Sequence, residues 1–595
     1  MTAISPADDG RPGQTAQLAA RAKPTVGQAE TRSARSWSPA QQGLAALGIY
    51  LLVWLLTADQ VLIHHMTWAE IDQKSMDPNF YVWSLRWWPY AIGHGLNPLY
   101  TNQIGAPAGH SLAWVTTVPP LALLVAPLTL TAGPVVAFNV LTVIALPLSA
   151  WAAFVLCRRL TGKFWASLVG GAVFGFSAYE VNHGSAGQLN LVYSLLMPIL
   201  AYLVLAWWQG SIRSRTLVIF AGLAMAVQFY LFLETFADMT AILAISLVLG
   251  FALIGRAGRG RIVKLAKLLG LAYAIAIVAA LPYLAYAFSA KPPQLRAVTG
   301  LDMVSLVVPR PQRTLGIPWL RHLAWEPVHT SAAGYIGVPL LVLAILLAVT
   351  SWQDRLVRFL TCMLAFIIVA SFGPYLYVAG KPVARLPWAT LWGLPFLRNA
   401  YPSRLMLFAF LALAVGTALW LAGPAKRVSP GRVALAVLVL AFIAMDTPTI
   451  AIWPNTLPKL ISSGAYRQEI KPGEIVVVVS GVGNAGMLWQ AETGYYMRIA
   501  GGFINAGLSH QTDLPLVVKD LAAGTPLYVA DFEKFVKTDH VGAILLDAKN
   551  KPPWVRIFGR VGLVGHRVGN VIIYPTDGCQ ACRALGRGQL KARPA

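Results

Sequence analysis

Three carboxylates stand close together after the first long apolar run: Glu70, Asp72 and Asp77, in the stretch Thr67-Trp-Ala-Glu70-Ile-Asp72-Gln-Lys74-Ser-Met-Asp77-Pro-Asn-Phe-Tyr81. Phe80, Trp83, Trp87 and Trp88 follow at spacings that give one helix an aromatic face. Trp and Tyr favour the depth where lipid meets water. One reading is a solvated loop above an aromatic belt. The other is a carboxylate held at that boundary, over a groove, where it can take a proton from a hydroxyl. In the second reading Tyr81 and Trp87 face the bound molecule and Asp77, Asp72 or Glu70 is the base.

A permanent cation completes such chemistry. Arg404 ends the motif Arg398-Asn-Ala-Tyr-Pro-Ser-Arg404, at the mouth of an apolar run. Its planar fork suits a phosphate oxygen. Arg310 and Arg313, with Lys291, Arg296, Arg321 and His322, form a second basic set in the segment 289–334. Long loops are partly exempt from charge rules, so this set also fits a solvated loop. Glu234 closes an apolar run and His183, Gln188 and Asn190 lie near the start of another; an acid at that depth is costly and usually paired or functional.

These residues need a scaffold, and the scaffold is apolar. Of the 595 residues 56% are hydrophobic and 12% charged, about half the charge of a soluble domain. Eleven stretches approach the roughly 20 residues that span a bilayer: 44–63, 134–157, 164–179, 190–208, 216–234, 237–255, 266–288, 335–350, 357–378, 402–421 and 433–452. One set of intervening loops carries Arg158, Arg159 and Lys163; Arg213 and Arg215; Arg256, Arg259, Arg261, Lys264 and Lys267; Arg355 and Arg358; and Lys426, Arg427 and Arg432, against the single acid Asp354. The opposite short loops carry Glu180, Glu234 and Asp238 and no Lys or Arg. The bias sets the N-terminus in the cytoplasm and, with an odd span count, the tail from 453 outside. It also accounts for the net charge of +23 without a nucleic-acid partner. Thr116–Leu130 is apolar too, but Pro119, Pro120 and Pro127 make it an interfacial helix rather than a span.

The expected organisation is a disordered cytoplasmic tail (1–43), an all-α polytopic membrane domain (44–452) with its first outer loop at 64–133, and a small extracytoplasmic α/β domain (453–595). In the last, 474–480, 540–547 and 569–574 read as strands and Leu514–Leu521 as helix. Gly481-Val-Gly483-Asn-Ala-Gly486 matches a dinucleotide fingerprint but lacks the acidic partner about 20 residues on, and reads as a glycine-rich turn. Cys157 and Cys362 read as apolar filler; Cys579 and Cys582 form one CxxC, a disulfide or free thiols. No metal-ligand cluster is visible. A divalent metal is permitted and not required.

Asp77-Pro-Asn-Phe-Tyr81, the aromatic helix, Gly95-Leu-Asn-Pro98, Thr117-Val-Pro-Pro120 and the span ending Cys157-Arg-Arg159-Leu-Thr-Gly162 together resemble the membrane glycosyltransferases of the C-type fold (GT-C). These include protein O-mannosyltransferases, the aminoarabinose transferase of lipid A, and actinobacterial mannosyl- and arabinofuranosyltransferases. The resemblance spans 44 to about 260 and weakens through 290–450. It implies that an acid of the first outer loop is the base, Asp77 matching best and Glu70/Asp72 forming an alternative ExD pair. It also implies inversion at the anomeric carbon. Nucleotide sugars are scarce outside the membrane, so a polyprenyl-phosphate sugar is the expected donor, with a glycan, lipid or protein acceptor of the cell envelope and membrane lipids as surroundings. A transporter or flippase of lipid-linked sugars is the rival expectation, which inverted repeats and midplane charges would mark; a non-catalytic scaffold is the third.

Overall fold

The computed structural model describes residues 37–57, 66, 69–71, 77–290, 300–309, 331, 333–391, 400–423, 430–445, 452–454, 457–480, 485–502, 529–548 and 551–576. Residues Gly43–Ala595 form one compact unit. It is a mostly helical, multi-pass membrane protein. Among the described residues seven helices are long and apolar enough to cross a bilayer: Pro39–Leu56, Pro134–Thr161, Leu189–Trp208, Ser214–Leu231, Leu233–Leu253, Arg256–Ser289 and Pro402–Ala422. The pair Phe164–Gly175 and Ala178–Ser185, bent by 46°, is long and apolar enough for an eighth crossing if it acts as one span.

Each of the eleven expected stretches contains a helix, but Val338–Ser351, Arg355–Ser371 and Pro430–Met445 are only 14, 17 and 16 residues long. The stretch 357–378 does not stay helical. Gly373 (φ +74°) and Pro374 stop the helix, and Tyr375–Val378 pairs with Lys381–Arg385 as a hairpin. The bases from Arg256 to Lys267 do not form a loop either. They are the opening turns of a 34-residue helix, because Arg and Lys are good helix formers and the loop is reduced to Ile254 and Gly255. Thr116–Leu130 does not span: it gives two short helices, Pro119–Leu124 and Ala126–Ala132, each with Pro in its first turn.

The centre of the bundle is built on close backbone approach. A Cβ on Gly170 would lie 2.8 Å from the Ala414 carbonyl, and one on Gly171 would lie 2.6 Å from that of Ala150. Small residues thus let Phe164–Gly175 press against both Pro134–Thr161 and Met406–Ala422. Beyond Gly175 the chain breaks. Ser177 caps the next helix by accepting Glu180 N–H at 3.3 Å, which turns Ala178–Ser185 away from the span.

The tail carries a five-stranded mixed sheet in the order His566–Val568, Val571–Pro575, Val541–Asp547, Ile475–Val479, Arg498–Ile499. The central pair is parallel and buried on both faces, as its unbroken apolar runs require. Residues from the first loop extend this sheet: Ile104 bridges Ile499, Ile499 N–H donates to Gln103 C=O at 2.8 Å, and Gly105 N–H donates to Gly501 C=O at 2.9 Å. A second junction pairs Ala69–Ile71 antiparallel with Ile452–Pro454.

The aromatic helix Asp77–Gly93 sits between these parts, and here the aromatic face that its spacing sets at the lipid–water boundary belongs instead to a core helix. Phe80, Tyr81, Val82, Trp83, Leu85 and Trp87 are all less than 5% exposed. Its bilayer-like face is covered by Ala485–Glu492 and its neighbours. Trp83 Nε1 donates to Gln490 Oε1 at 2.7 Å, and Tyr495 Oη donates to the Trp83 carbonyl at 2.8 Å. Aromatic surface that could have met lipid instead meets protein.

Candidate active site

Asp77 is the first residue of the aromatic helix, an N-terminal position that suits a carboxylate. Gln188 Nε2 donates to Asp77 Oδ2 at 2.7 Å, and the other end of the same amide, Oε1, accepts from His183 Nδ1 at 2.6 Å. With the amide so oriented, His183 carries its proton on Nδ1. One turn along the aromatic helix, Tyr81 Oη donates to Asn190 Oδ1 at 2.5 Å. Residues i and i+4 of the aromatic helix thus meet the cap residue and the second residue of the helix that begins at Leu189. Gly187 makes the approach possible. It holds φ +66°, and a Cβ there would lie 2.7 Å from Pro78 Cγ.

Arg404 forms the other half. The short helix Pro402–Leu405 delivers it to the start of Met406–Ala422, where its guanidinium pairs with the Glu234 carboxylate. Each of the two side chains is 18% exposed. Tyr401 N–H donates to Glu234 Oε1 at 2.8 Å, and the guanidinium carbon lies 4.3 Å from the Tyr401 ring centroid and 4.9 Å from that of Phe232. Asp238, one turn after Glu234, adds a second carboxylate to the field of Arg404. Glu234 starts Leu233–Leu253 because Phe232 is extended (φ −163°), a break that ends the preceding helix.

Tyr81 and Tyr179 join the halves. Burial pushes the Tyr81 phenol well above its ordinary value, Asp77 pushes it further, and Arg404 opposes both, so the phenol stays neutral between a carboxylate and a guanidinium. The buried Tyr179 ring lies 4.6 Å from His183 and within the field of Arg404. Beside this seam, Glu180 is fully buried. It accepts a short hydrogen bond from Ser194, which is 3.2 Å from Ser149, while Glu180 Oε2 has no hydrogen-bond partner among the described residues. A cavity of about 60 Å³ opens between Trp88, Thr117, Pro119 and Phe229–Leu233. The backbone between its lining residues Thr117 and Pro119 is strained: Val118, β-branched, holds φ +43°.

The structure therefore brings Asp77, Tyr81, Glu234 and Arg404 into one polar seam. Trp87 is a correction. It stacks on Trp83 at 5.3 Å between centroids and donates Nε1 to Pro98 C=O at 2.9 Å, so it is core and faces no groove. Its neighbour Trp88 lines the cavity instead and donates to Thr117 Oγ1 at 3.0 Å. Glu70 lies in the strand Ala69–Ile71, opposite Trp453. Asp72, Arg310 and Arg313 lie outside the described residues, as do 481–484 of the glycine-rich turn, Leu514–Leu521 and the Cys579/Cys582 pair. Among the described residues no three His, Cys, Asp or Glu side chains gather as a metal site. Tyr179 and Asp238 belong to the seam with no role expected of them from sequence, and Gln188 and Asn190, noted there as polar residues near the start of a run, gain their partners only in the structure. The signal for two of them was present in Gln188-Leu-Asn190, two amides alternating with an apolar residue at a span entrance.

No protein-family model and no curated protein sequence matches the chain. Solved structures do. The arabinofuranosyltransferase AftD from Mycobacteria superposes with a TM-score of 0.56 at 12% identity, covering 92% of this chain and 40% of AftD. This chain has the GT-C fold. The archaeal oligosaccharyltransferase AglB from Archaeoglobus fulgidus is similar at a TM-score of 0.49 and 11% identity, over 87% of this chain and 70% of that one. ArnT from Cupriavidus metallidurans is similar at 0.44 and 12%, over 89% and 97%. The chain spans well under half the length of AftD, and the GT-C likeness concerns architecture.

Proposed function

We propose that this chain is a membrane glycosyltransferase that moves one sugar from a polyprenyl-phosphate donor to a hydroxyl of a cell-envelope glycan, lipid or protein on the extracytoplasmic face. The observation that carries the reading is a carboxylate held by Gln188 at the head of the aromatic helix, with Arg404 held by Glu234 at the head of a span, within a GT-C fold. The basic loops support the sidedness: they lie at the ends of the helices remote from Asp77, and cytoplasmic loops are the basic ones.

In the reaction Asp77 takes the acceptor hydroxyl proton as its oxygen bonds to the anomeric carbon. The bond from that carbon to the phosphate oxygen breaks, the electron pair leaves with the phosphate, and the anomeric configuration inverts. Arg404 stabilises the charge that grows on the departing phosphate, through a fork already oriented by Glu234 and two aromatic faces. Gln188 and His183 fix the carboxylate rather than touch the sugar. A lipid-linked donor suits the site, since its chain stays in hydrocarbon while its phosphosugar reaches the seam. AftD carries arabinofuranosyl transfer in its name; the sugar moved by this chain is a pentose or a hexose.

Membranes supplied with a radiolabelled polyprenyl-phosphate sugar test this directly. Asp77→Asn keeps the size and an acceptor for Gln188, and should lower label transfer by about 10²- to 10⁴-fold at near-normal expression, the usual worth of a general base. Undiminished transfer, or relocation of intact labelled lipid without transfer, refutes the reading.

A further inference from the structure

The helix Leu233–Leu253 starts at Glu234 in the seam and ends about 30 Å away, at 1.5 Å per residue, at the opposite end of the bundle. That far end holds a cavity of about 1030 Å³. Its walls are apolar, with Ala201, Leu243, Leu247, Phe359 and Ala412 among them, and its mouth carries Arg256, Arg261 and Arg355. A second recess of about 540 Å³ adjoins it and is lined by Arg213, Arg261 and Lys264. Arg261 belongs to both.

The cations are placed rather than scattered. Arg261 donates to the Trp208 carbonyl, with its guanidinium carbon 4.7 Å from the Trp208 ring centroid. Arg355 Nη1 donates to Ile254 C=O at 2.7 Å. Carbonyl and ring contacts orient these side chains but neutralise neither. No Asp or Glu lines either space among the described residues. The acid beside Arg355, Asp354, is occupied as a helix cap, accepting Leu356 N–H at 2.7 Å and Val357 N–H at 3.3 Å.

An apolar slot joined through one arginine to a basic recess fits a molecule with greasy chains and an anionic head. We propose that this is a binding site for an anionic glycerophospholipid, its acyl chains in the larger cavity and its phosphate at Arg261 and Arg355, separate from the transfer site. A free phosphate has no use for the apolar part. A neutral lipid brings no negative charge to a lining that holds five cations, Arg213, Arg256, Arg261, Lys264 and Arg355, and no carboxylate among the described residues. Basic pockets between helices on the cytoplasmic side are a recurring way of holding anionic headgroups.

The test is native mass spectrometry of the full chain in detergent, offered phosphatidylglycerol and phosphatidylcholine in equal amounts. Retention should favour phosphatidylglycerol, and 0.5 M salt should erase the preference. Arg256→Gln/Arg261→Gln/Arg355→Gln should cut it by roughly 5-fold per cation, on the order of 100-fold in all. The corresponding triple lysine variant should keep most of it, and Ala201→Trp, which fills the slot, should lower retention of both lipids. Equal retention by the unmodified chain overturns the proposal without reference to any variant. So does an unchanged preference in the glutamine variant, or full displacement of phosphatidylglycerol by an equimolar polyprenyl phosphate.

Discussion

Removing Arg404 should do two separable things, and the structure says how large each is. Arg404→Gln leaves Glu234 with the Tyr401 N–H at 2.8 Å as its remaining donor among the contacts described, and sets it one turn from Asp238 without a counter-ion. Breaking a buried ion pair from one side costs about 3–5 kcal/mol. At 18% exposure of each side chain the pair is somewhat wet, so about 3 kcal/mol is expected here. Glu234→Gln should cost less, about 1 kcal/mol, because Arg404 keeps Asp238 and the Tyr401 and Phe232 faces. The double variant Arg404→Gln/Glu234→Gln buries two amides that can bond to each other, and should recover about 2 kcal/mol of the Arg404→Gln loss. Activity should behave differently. If the guanidinium stabilises the leaving phosphate, its loss lowers transfer by about 10²- to 10³-fold, and no repair of the ion pair restores it. Thermal stability in detergent reads the first effect, and label transfer at saturating donor reads the second. A double variant that regains both stability and full transfer refutes the phosphate role, since Arg404 would then be nothing more than the partner of Glu234.

Gln188→Leu removes the donor that aims Asp77 and should lower kcat by about 10- to 100-fold with KM little changed, as expected for lost orientation; a change confined to KM would argue that Gln188 contacts substrate. Gln490→Leu strands Trp83 Nε1 and the Met497 carbonyl and leaves the Gln103 carbonyl with Ile499 N–H alone, at about 1–3 kcal/mol for each group left without water or partner, and limited proteolysis should then release the tail from the membrane domain. Glu492 reports on the same junction by pH. Burial raises its carboxyl above the ordinary value of 4.5, against the opposing Val135 N–H and the Arg86 charge. A raised value in the fold means that its contribution is fully present below about pH 4.5 and is lost as pH climbs through the raised value. Melting curves from pH 4 to 7 should therefore show a decline that Glu492→Gln flattens, and an unchanged slope in that variant would place the titrating group elsewhere.

Much of the scaffold was legible because hydrocarbon imposes a simple rule on sequence. Spans must be apolar and of a set length, and the eleven stretches each hold a helix. The three strands of the tail were legible from unbroken Val/Ile/Leu runs such as 475–479. The errors arose where tertiary contact replaces solvent. Phe80, Trp83 and Trp87 have the spacing of an interfacial face, and composition cannot say whether lipid or the Ala485–Glu492 helix will cover it. The hairpin Tyr375–Val378/Lys381–Arg385 was hidden because β-branched and aromatic residues at the end of an apolar run read equally well as helix. Site residues divided in the same way. Asp77, Glu234 and Arg404 stand out as charges at span ends. Gln188 and Asn190 carry no charge, and their role exists only because Gly187 brings them within reach of Asp77 and Tyr81.

The way the first loop is held bears on how a membrane-boundary carboxylate can be a catalyst at all. A side chain on a free loop loses rate through disorder, because about 1 Å of misplacement is enough to cost 10²-fold. Here the loop is held at three places. Ala69–Ile71 pairs with Ile452–Pro454, residues 103–106 extend the sheet of the tail, and the helix between them is clamped by Gln490 and Tyr495. Asp77 starts that clamped helix, so its position is set jointly by the span that carries Gln188 and by a module some 400 residues further along the chain. The tail is then part of the site's rigidity even though it supplies no group to the seam. On this argument, variants that loosen the Gln490 junction should lower kcat before they unfold the bundle, with Asp77 untouched. Equal loss of activity and of bundle stability across a graded series at Gln490, Tyr495 and Trp83 would show that the tail matters for folding alone.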